Sequence, residues 1–322
     1  MREIIINKND ADQRLDKFLS KRFKNMPKSL MYKYIRTRYI KVNNKKCEIS
    51  TMLKEGDVLK LFIKDEFFDD DRENEESYEF LKAPLKLDII YEDENILIIN
   101  KKPGLIVHPD KSYHFDSLIA RVLHYLYEKG EYNPKDDRSF APATVNRLDR
   151  NTGGIVIAAK NAEALRILNA KIKSREIKKL YLCMVQGKPK AESGTVSGYL
   201  EKNESKNKVR IFSENAPGRK YMETKYRVIK SVRENSLLEV DLITGRTHQI
   251  RASMAKLGYP LLGDTKYGYK KKSSAEKEQF KYQALYAYRI TFEFQSDAGI
   301  LQYLDGRSFE ADSKSIWFIN FI

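Results

Sequence analysis

Apolar residues recur at helical spacing near the start of the chain. Leu15, Phe18, Leu19 and Phe23 predict an amphipathic helix of about three turns. Pro27 then suits the first turn of a second helix, because proline lacks the amide hydrogen that such a position leaves unpaired. The predicted inner side of this second helix is formed by Leu30, Tyr34 and Ile35.

Short strand-like runs follow these helices. The run 40–42, a turn at Asn43-Asn44 and a later run at 58–63 predict a hairpin and one further strand. Together with the two helices, they predict a small α+β unit.

From residue 84 onward, strand-like runs outnumber helical ones. Ser117 suits the cap of a helix that ends near Tyr127, and a further helix is expected at 162–174. Because helices and strands do not alternate strictly, we expect an α+β fold with a mixed, largely antiparallel sheet flanked by helices and loops. After Gly299 we expect an apolar edge strand. The other predicted strands are 87–91, 96–100, 155–159 and 180–185.

Charge divides the chain into parts. The stretch 65–79 holds nine acids and one base, which leaves 59 bases, 36 acids and a net charge of +23 elsewhere. We therefore predict an N-terminal unit at 1–64, an acidic linker at 65–83 and a second domain at 84–322. A body this basic suggests a phosphate-rich partner, although a lysine-rich composition alone gives the same balance.

Cysteine content and hydropathy bear on location. The two cysteines, Cys47 and Cys183, lie far apart and match no zinc spacing, which is typical of a reducing cytosol. No apolar run approaches the roughly 20 residues of a membrane helix. We therefore expect a cytoplasmic protein.

One carboxylate lies in an unusual setting. Residues 146–154 read Asn-Arg-Leu-Asp-Arg-Asn-Thr-Gly-Gly, so Asp149 sits on a polar, glycine-rich turn between Arg147 and Arg150. An Asp in such a turn commonly serves as an Asx-turn or cap residue. The basic neighbours also suit a nucleophile that acts on a bound polyanion.

Four blocks resemble one enzyme family. They are Lys102-Pro103 to His108-Pro109, Arg147-Leu148-Asp149 with Thr152 and Gly154, Lys179 and Tyr181 to Gly187, and Thr244 to Arg251. In this order they resemble the pseudouridine synthases of the RluA superfamily, and the added N-terminal unit suggests the RluC/RluD branch. Residues 12–63 resemble an S4-type RNA-binding domain. The resemblance implies isomerisation of uridine in RNA, without cofactor or metal.

The resemblance also implies residue roles. Asp149 matches the family nucleophile, and Arg251 matches the arginine that pairs with it. Tyr181 matches the tyrosine that stacks on the target base and is a candidate proton acceptor. Leu285 matches an apolar residue lining the pocket. Read alone, Arg251 is an ordinary ion-pair residue, and Tyr181 and Leu285 suit core packing.

RNA contacts follow from the need to flip the target uridine out of its helix or loop. We expect Arg147 and Arg150 to anchor phosphate groups or to fill the space that the flipped base leaves in the RNA. Arg246 and His248 are expected to shape a strand around Arg251 or to touch phosphate. The bases of the second N-terminal helix and its exit are expected to bind RNA, unless they form only a solvated face. These bases are Lys33, Arg36 and Arg38.

Four departures concern substrate contacts. Asn146 stands where the family often has His, and Gly153 where Ser is common. Ala252-Ser253-Met254 replaces a usual Val-His-Met, and Tyr286 stands where His is common. The segments near Leu200 and Gly218 resemble the RluC side of the branch more closely. This resemblance favours large-subunit ribosomal RNA as the substrate. We expect the enzyme to be a monomer. Transfer RNA is the alternative target.

Other classes make different demands. A non-catalytic ribosome-associated RNA-binding protein would lack Asp149, Tyr181 or Arg251, and all three are present. A base deaminase needs a His/Cys zinc cluster that two scattered cysteines do not supply. A carboxylate-pair glycosidase would release free uracil.

Overall fold

Two sheets organise the protein. The computed structural model describes residues 1–71, 75–109, 115–135, 139–203, 208–270 and 279–321. Within these ranges the chain forms one sheet of four strands and one of eleven. The expected α+β fold with a mixed, largely antiparallel sheet is therefore confirmed. Among the described helices, none has the length and apolar character needed to cross a membrane.

The N-terminal sheet packs against two helices. Asn43 and Asn44 adopt φ values of 50° and 62°, which suit the tight turn between the second and third strands. Helix α1 is shorter than the predicted three turns, since Phe23 already leaves helical geometry. The elements are β1 (Arg2–Ile5), α1 (Leu15–Arg22), α2 (Lys28–Arg36), β2 (Ile40–Val42), β3 (Lys45–Lys46) and β4 (Val58–Leu61), with the strand order β1-β4-β2-β3.

The acidic segment carries aromatic anchors. It contains 3-10 helices at Asp65–Asp71 and Glu75–Lys82. Phe68 packs edge-on against Phe23 in the N-terminal core, whereas Phe80 is buried in the core of the large sheet. The limits 64 and 84 stay predictions, and residues 72–74 of the predicted linker lie outside the described ranges.

The large sheet has the order β11-β10-β12-β13-β9-β14-β8-β6-β5, with β15 paired to β14 and β7 to β8. Among the described pairs, only β14 and β8 run parallel. Its strands are β5 (Ile89–Glu92), β6 (Ile96–Lys101), β7 (Ala143–Thr144), β8 (Gly153–Ala159), β9 (Ile177–Gln186), β10 (Ser193–Asn203), β11 (Lys208–Phe212), β12 (Lys220–Val232), β13 (Asn235–Leu242), β14 (Leu285–Phe292) and β15 (Ser308–Glu310).

Helices cover both faces of this sheet. The remaining helices are α3 (Leu118–Glu128), α4 (Ala162–Lys173) and α5 (Gln249–Lys256). Alternate residues of β8 point to opposite faces, so Ile155 joins the core with α4 and Val156 joins the core with α3 and α5. Ser117 caps α3 as predicted, because its hydroxyl accepts a hydrogen bond from the amide of Ala120.

The C-terminal segment departs from the predicted edge strand. Among the described residues after Gly299, only Ser308–Glu310 forms a strand, and it pairs with β14. The chain then forms 3-10 helices at Ser313–Ser315 and Ile319–Phe321, where the rings of Phe280, Trp317 and Phe321 pack together. This packing takes the place of further strand pairing.

Candidate active site

Asp149 lies on the loop between β7 and β8. The loop turns tightly, since the amide of Thr152 donates to the carbonyl of Asp149 at 3.0 Å. Asn146 extends the pairing along β8: its Nδ2 donates to the carbonyl of Ile155 at 3.1 Å, and its Oδ1 accepts from the amide of Ile157 at 2.9 Å. The side chain at 146 thus satisfies backbone groups and anchors the loop from its N-terminal side.

Two glycines let this loop approach strand β14. A Cβ atom on Gly153 would lie within 2.8 Å of Cδ2 in the ring of Tyr286. A Cβ atom on Gly154, whose φ is +116°, would lie 2.6 Å from the amide nitrogen of Ala287. The departures at 153 and 286 therefore belong together, because the ring of Tyr286 occupies the space that a serine at 153 would need.

Arg251 lies on helix α5, so the strand predicted around it is wrong. Residues 249–254 are all buried, which removes the one-sided apolar spacing that marks an amphipathic helix in sequence. The apolar Leu242-Ile243 run also resembles a strand that continues toward Arg251, although β13 ends at Leu242.

Two carboxylates hold the Arg251 guanidinium. Its Nη1 donates to Oδ2 of Asp149 at 2.9 Å. Its Nε and Nη2 donate to the two oxygens of Asp264 at 2.6 and 2.9 Å. The Arg251 side chain is 8% exposed, that of Asp264 1% and that of Asp149 26%. Burial by itself would lower the pKa of Arg251, but Asp264 and Asp149 raise it above its ordinary value.

Gln249 fixes the loop before helix α5. Its Nε2 donates to the carbonyl of Glu223 and to the hydroxyl of Thr224, both at 2.9 Å. Its Oε1 accepts from the Thr244 hydroxyl at 2.8 Å and from the Arg246 amide at 3.0 Å. A single buried amide thus ties the loop to strand β12.

His248 caps helix α5 in the left-handed conformation, with φ of 51°. Its Nδ1 lies 3.0 Å from the Tyr267 hydroxyl, and its Nε2 lies 3.7 Å from Oδ2 of Asp149. Burial lowers the pKa of His248 to about 4, which Arg251 reinforces and Asp149 opposes. The imidazole is therefore neutral at neutral pH, which favours the shaping role over a cationic phosphate contact.

A cavity of about 110 Å³ opens beside Asp149. We call it the uridine pocket, after the substrate that the family resemblance implies. Tyr181, buried on β9, and Leu285, on β14, line it together with Arg251. Burial, and then the charge of Asp149, raise the pKa of Tyr181, so the phenol is protonated at neutral pH. The other predicted residues that line the pocket are Arg147, Arg246 and His248.

Four predicted RNA-binding residues lie elsewhere. Arg150 is not among the described residues that line the uridine pocket, and its Nε donates to the carbonyl of Gly104 at 3.2 Å. Lys33, Arg36 and Arg38 belong to the N-terminal domain and are exposed.

Two buried residues were not predicted from the sequence. Asp264 belongs to none of the four family blocks, and no role was assigned to it. Lys101 was passed over for its exposed neighbour Lys102, yet its ammonium is buried and donates to three carbonyls, those of Leu105 at 2.7 Å and of Lys102 and Arg150 at 3.1 Å. Burial lowers the pKa of Lys101 to about 7, against the opposing charge of Asp149. An arginine that must be desolvated needs a buried acid, and that requirement was the available signal for Asp264.

Among the described residues, no group of three or more His, Cys, Asp or Glu side chains is placed to hold a metal ion. Cys47 and Cys183 are buried free thiols.

Comparison with known proteins gives consistent matches. A family model described as RNA pseudouridylate synthase matches residues 95–256, and an S4 domain model matches 13–59. Ribosomal large subunit pseudouridine synthase C of Vibrio cholerae is 32% identical over 90% of this chain and 88% of its own length. An uncharacterized RNA pseudouridine synthase of Mycoplasma capricolum is 33% identical over 95% of this chain and 96% of its own. The solved structure of human RNA pseudouridylate synthase domain containing 4 covers 72% of this chain and 92% of its own, with TM-score 0.56 and 18% identity, and supports the fold.

Proposed function

Because the chain belongs to the RNA pseudouridylate synthase family, we propose that it isomerises specific uridines of large-subunit ribosomal RNA to pseudouridine. The enzyme class follows from the family. The target is supported by the Vibrio cholerae relative, whose name specifies the large ribosomal subunit and of which this chain covers 88%.

Asp149 is the proposed nucleophile. The observation that carries this assignment is its 2.9 Å hydrogen bond from Arg251 at the wall of the uridine pocket. The guanidinium favours the ionised carboxylate, which is the nucleophilic form. In the reaction the bond from C1′ to N1 of uracil breaks, a bond from C1′ to C5 forms, and the proton of C5 is lost as N1 gains one. Asp149 attacks either the uracil ring or C1′, and both routes restore the free carboxylate.

Tyr181 is proposed to hold the base. A neutral phenol ring at the pocket wall suits stacking against uracil, and its raised pKa disfavours a phenolate that would accept the C5 proton. Leu285 supplies an apolar surface on β14. We therefore assign Tyr181 to stacking and keep proton acceptance as the secondary role.

Arg147 and Arg246 are proposed to meet the RNA backbone at the pocket mouth, where both are exposed. They favour a flipped nucleotide by neutralising its flanking phosphates. Arg150 is proposed to act from the neighbouring loop. Lys33, Arg36 and Arg38 are proposed to hold a more distant part of the RNA.

We also propose that the enzyme works as a monomer in the cytoplasm. Its exposed large apolar side chains are spread along the chain from Met1 to Phe321, and both cysteines are free thiols. Sedimentation of the purified protein at micromolar concentration tests the oligomeric state: a single species of about 37.6 kDa is expected.

The proposed function is tested on unmodified large-subunit ribosomal RNA made by transcription. The RNA is incubated with wild type, with Asp149→Ala and with Glu214→Ala, which removes an exposed carboxylate outside the uridine pocket. Mass spectrometry and carbodiimide mapping then locate pseudouridine. We expect product with wild type and Glu214→Ala, and none with Asp149→Ala.

The other outcomes are equally informative. Turnover by Asp149→Ala would remove the nucleophile assignment. Product in transfer RNA but not in ribosomal RNA would replace the proposed target. Binding without product in either RNA would favour the non-catalytic class, and free uracil would favour a glycosidase.

A further inference from the structure

A second cavity, of about 480 Å³, opens next to the uridine pocket. Its volume is within the roughly 300–1,000 Å³ of ligand sites in proteins. We call it the basic cleft. The two cavities share part of their walls, formed by Arg147, Tyr181, Leu242, Gly245 and Arg246. The basic cleft is therefore within reach of an RNA strand that has one base in the uridine pocket.

Charge in the basic cleft has one sign. No Asp or Glu is among the described residues that line it. The cationic lining residues are Arg147, Lys173, Arg175, Lys179 and Arg246. His108 also lines the cleft, but burial and the charge of Arg147 lower its pKa. Such a concentration of cations in a concave surface focuses a positive potential and attracts polyanions.

Three of these bases lie where α4 leads into β9. Lys173 and Arg175 are exposed, and neither forms an ion pair with any residue in the described ranges. Lys179 is half-buried, and its ammonium donates to the carbonyl of Ile177 at 3.2 Å. Asp241 is the carboxylate whose charge acts on Lys179, yet the two form no ion pair within the described part of the chain. These cations are available to an added anion.

Arg175 also has an unfavourable backbone conformation. It follows Ser174, the C-cap of α4, and adopts φ of +65°. Glycine is the usual residue at this position, because a Cβ atom is crowded in the left-handed region. A glycine at position 175 would therefore remove the cation without straining the backbone.

We propose that the basic cleft binds the phosphodiester backbone of the RNA strand immediately next to the flipped uridine, with Lys173, Arg175 and Lys179 as the phosphate contacts. This inference rests on the proposed function. The cleft is continuous with the uridine pocket, which suits a connected polymer better than a free anion. Its contacts carry no base readout, so they hold the register of the strand for whichever uridine is presented.

The test uses a matched pair of glycine variants. Arg175→Gly removes one cation of the basic cleft and relieves the backbone strain at position 175. Arg233→Gly removes an exposed arginine with a similar φ of +52° from the turn between β12 and β13. Because β13 separates that turn from Leu242, the control lies about 23 Å from the basic cleft. Both variants should be at least as thermally stable as wild type.

Affinity for a 12-nucleotide oligouridine is measured by fluorescence anisotropy at several salt concentrations. Arg175→Gly should bind about fivefold more weakly at 0.1 M salt, with a log–log salt slope shallower by about 0.7. The double variant Lys173→Gln with Arg175→Gly should lose about 1.4 from the slope. Arg233→Gly should match wild type. Equal affinities and slopes for Arg175→Gly and Arg233→Gly would overturn the proposal.

Pseudouridine formation, measured with the same proteins, separates this proposal from the proposed function. If the cleft variants show shallower salt slopes but no protein, wild type included, forms pseudouridine, the basic cleft is supported and the proposed RNA target is wrong. Pseudouridine from wild type together with unchanged slopes would remove the basic cleft alone. If both proposals hold, Arg175→Gly should raise KM for RNA and leave kcat nearly unchanged.

Discussion

The charges of the uridine pocket and those of the N-terminal domain are held in opposite ways. Arg251 is buried and tied to two carboxylates by three hydrogen bonds. Lys33, Arg36 and Arg38 are exposed and form no ion pair with any residue in the described ranges. One region fixes a single cation within a network, and the other leaves several cations in water.

The difference separates two tasks. A buried, fully paired cation keeps one geometry and is little affected by salt, which suits a reacting carboxylate. Exposed cations adapt to a flexible polyanion and release counterions when they meet phosphate. Changes in the uridine pocket should therefore act on kcat, and changes in the N-terminal domain should act on affinity and its salt dependence.

The largest effect is expected from Asp264→Asn. The new amide would point a donor at the Arg251 guanidinium and leave that buried charge half-paired, which costs about 3 kcal/mol of stability. The Asp149–Arg251 geometry would loosen, so kcat should fall about 10²-fold while KM for RNA changes little. Single-turnover kinetics and urea unfolding measure the two effects.

The control for Asp264→Asn is Glu92→Gln. Glu92 accepts hydrogen bonds from Lys129 and Lys160 away from the uridine pocket. This variant should lose stability with kcat intact. Unchanged kcat in Asp264→Asn would mean that Asp264 only stabilises the fold.

The next effect is expected in the N-terminal domain. Replacing Lys33, Arg36 and Arg38 together by Gln should make the salt slope of RNA binding shallower by about 1 for each cation that meets a phosphate, with kcat unchanged. Binding titrations across salt concentrations measure the slope. The matched control replaces three exposed lysines of the second domain (84–322) by Gln, namely Lys188, Lys190 and Lys314. Equal slopes for the two triple variants would make the N-terminal face a solvated surface.

A smaller effect is expected from Gly153→Ser. The added side chain would meet the ring of Tyr286 and cost about 1–3 kcal/mol by overpacking. Tyr286→His alone should also destabilise, since it removes the 2.6 Å hydrogen bond from Tyr286 to Asn100. The double variant should be more stable than the sum of the two losses predicts, by about 0.5–3 kcal/mol. Thermal unfolding measures all three, with Gly245→Ser as a control because nothing lies within 4 Å of its Cβ position.

The last prediction concerns the pH dependence of stability. The pKa of Lys101 is about 7 in the folded protein and near its ordinary value when unfolded, so between these values the unfolded chain binds the extra proton. The free energy of unfolding should therefore rise with pH from about 7 to about 10, by up to about 1.4 kcal/mol per pH unit more than in Lys101→Met. Urea titrations at several pH values compare the slopes. Parallel pH profiles would mean that Lys101 stays charged throughout.

Local signals explain what the sequence could predict. The Ser117 cap and the Asn43-Asn44 turn rest on contacts a few residues apart, and the structure confirms both. Helix α5 was missed because burial on all sides erases its period. Lys101 and Asp264 were missed because the sequence does not reveal which charged side chains the fold buries.

The site shows the same limit. Asp149 and Arg251 could be paired only through resemblance, since 102 positions separate them. Their roles stay predictions. The coupling of Gly153 to Tyr286 was invisible as two separate departures, because it depends on the distance between two strands.

Strand β14 lies between the parts of the site. Gly153 approaches Tyr286, Ala287 pairs with Tyr181, and Gly263 approaches the backbone of Tyr282 just ahead of the strand. During synthesis from the N-terminus, the candidate nucleophile Asp149, its partner Arg251 and the candidate stacking residue Tyr181 all leave the ribosome before this strand does. A nascent chain therefore carries every reactive group but no assembled site, and catalytic competence arrives only near the end of translation.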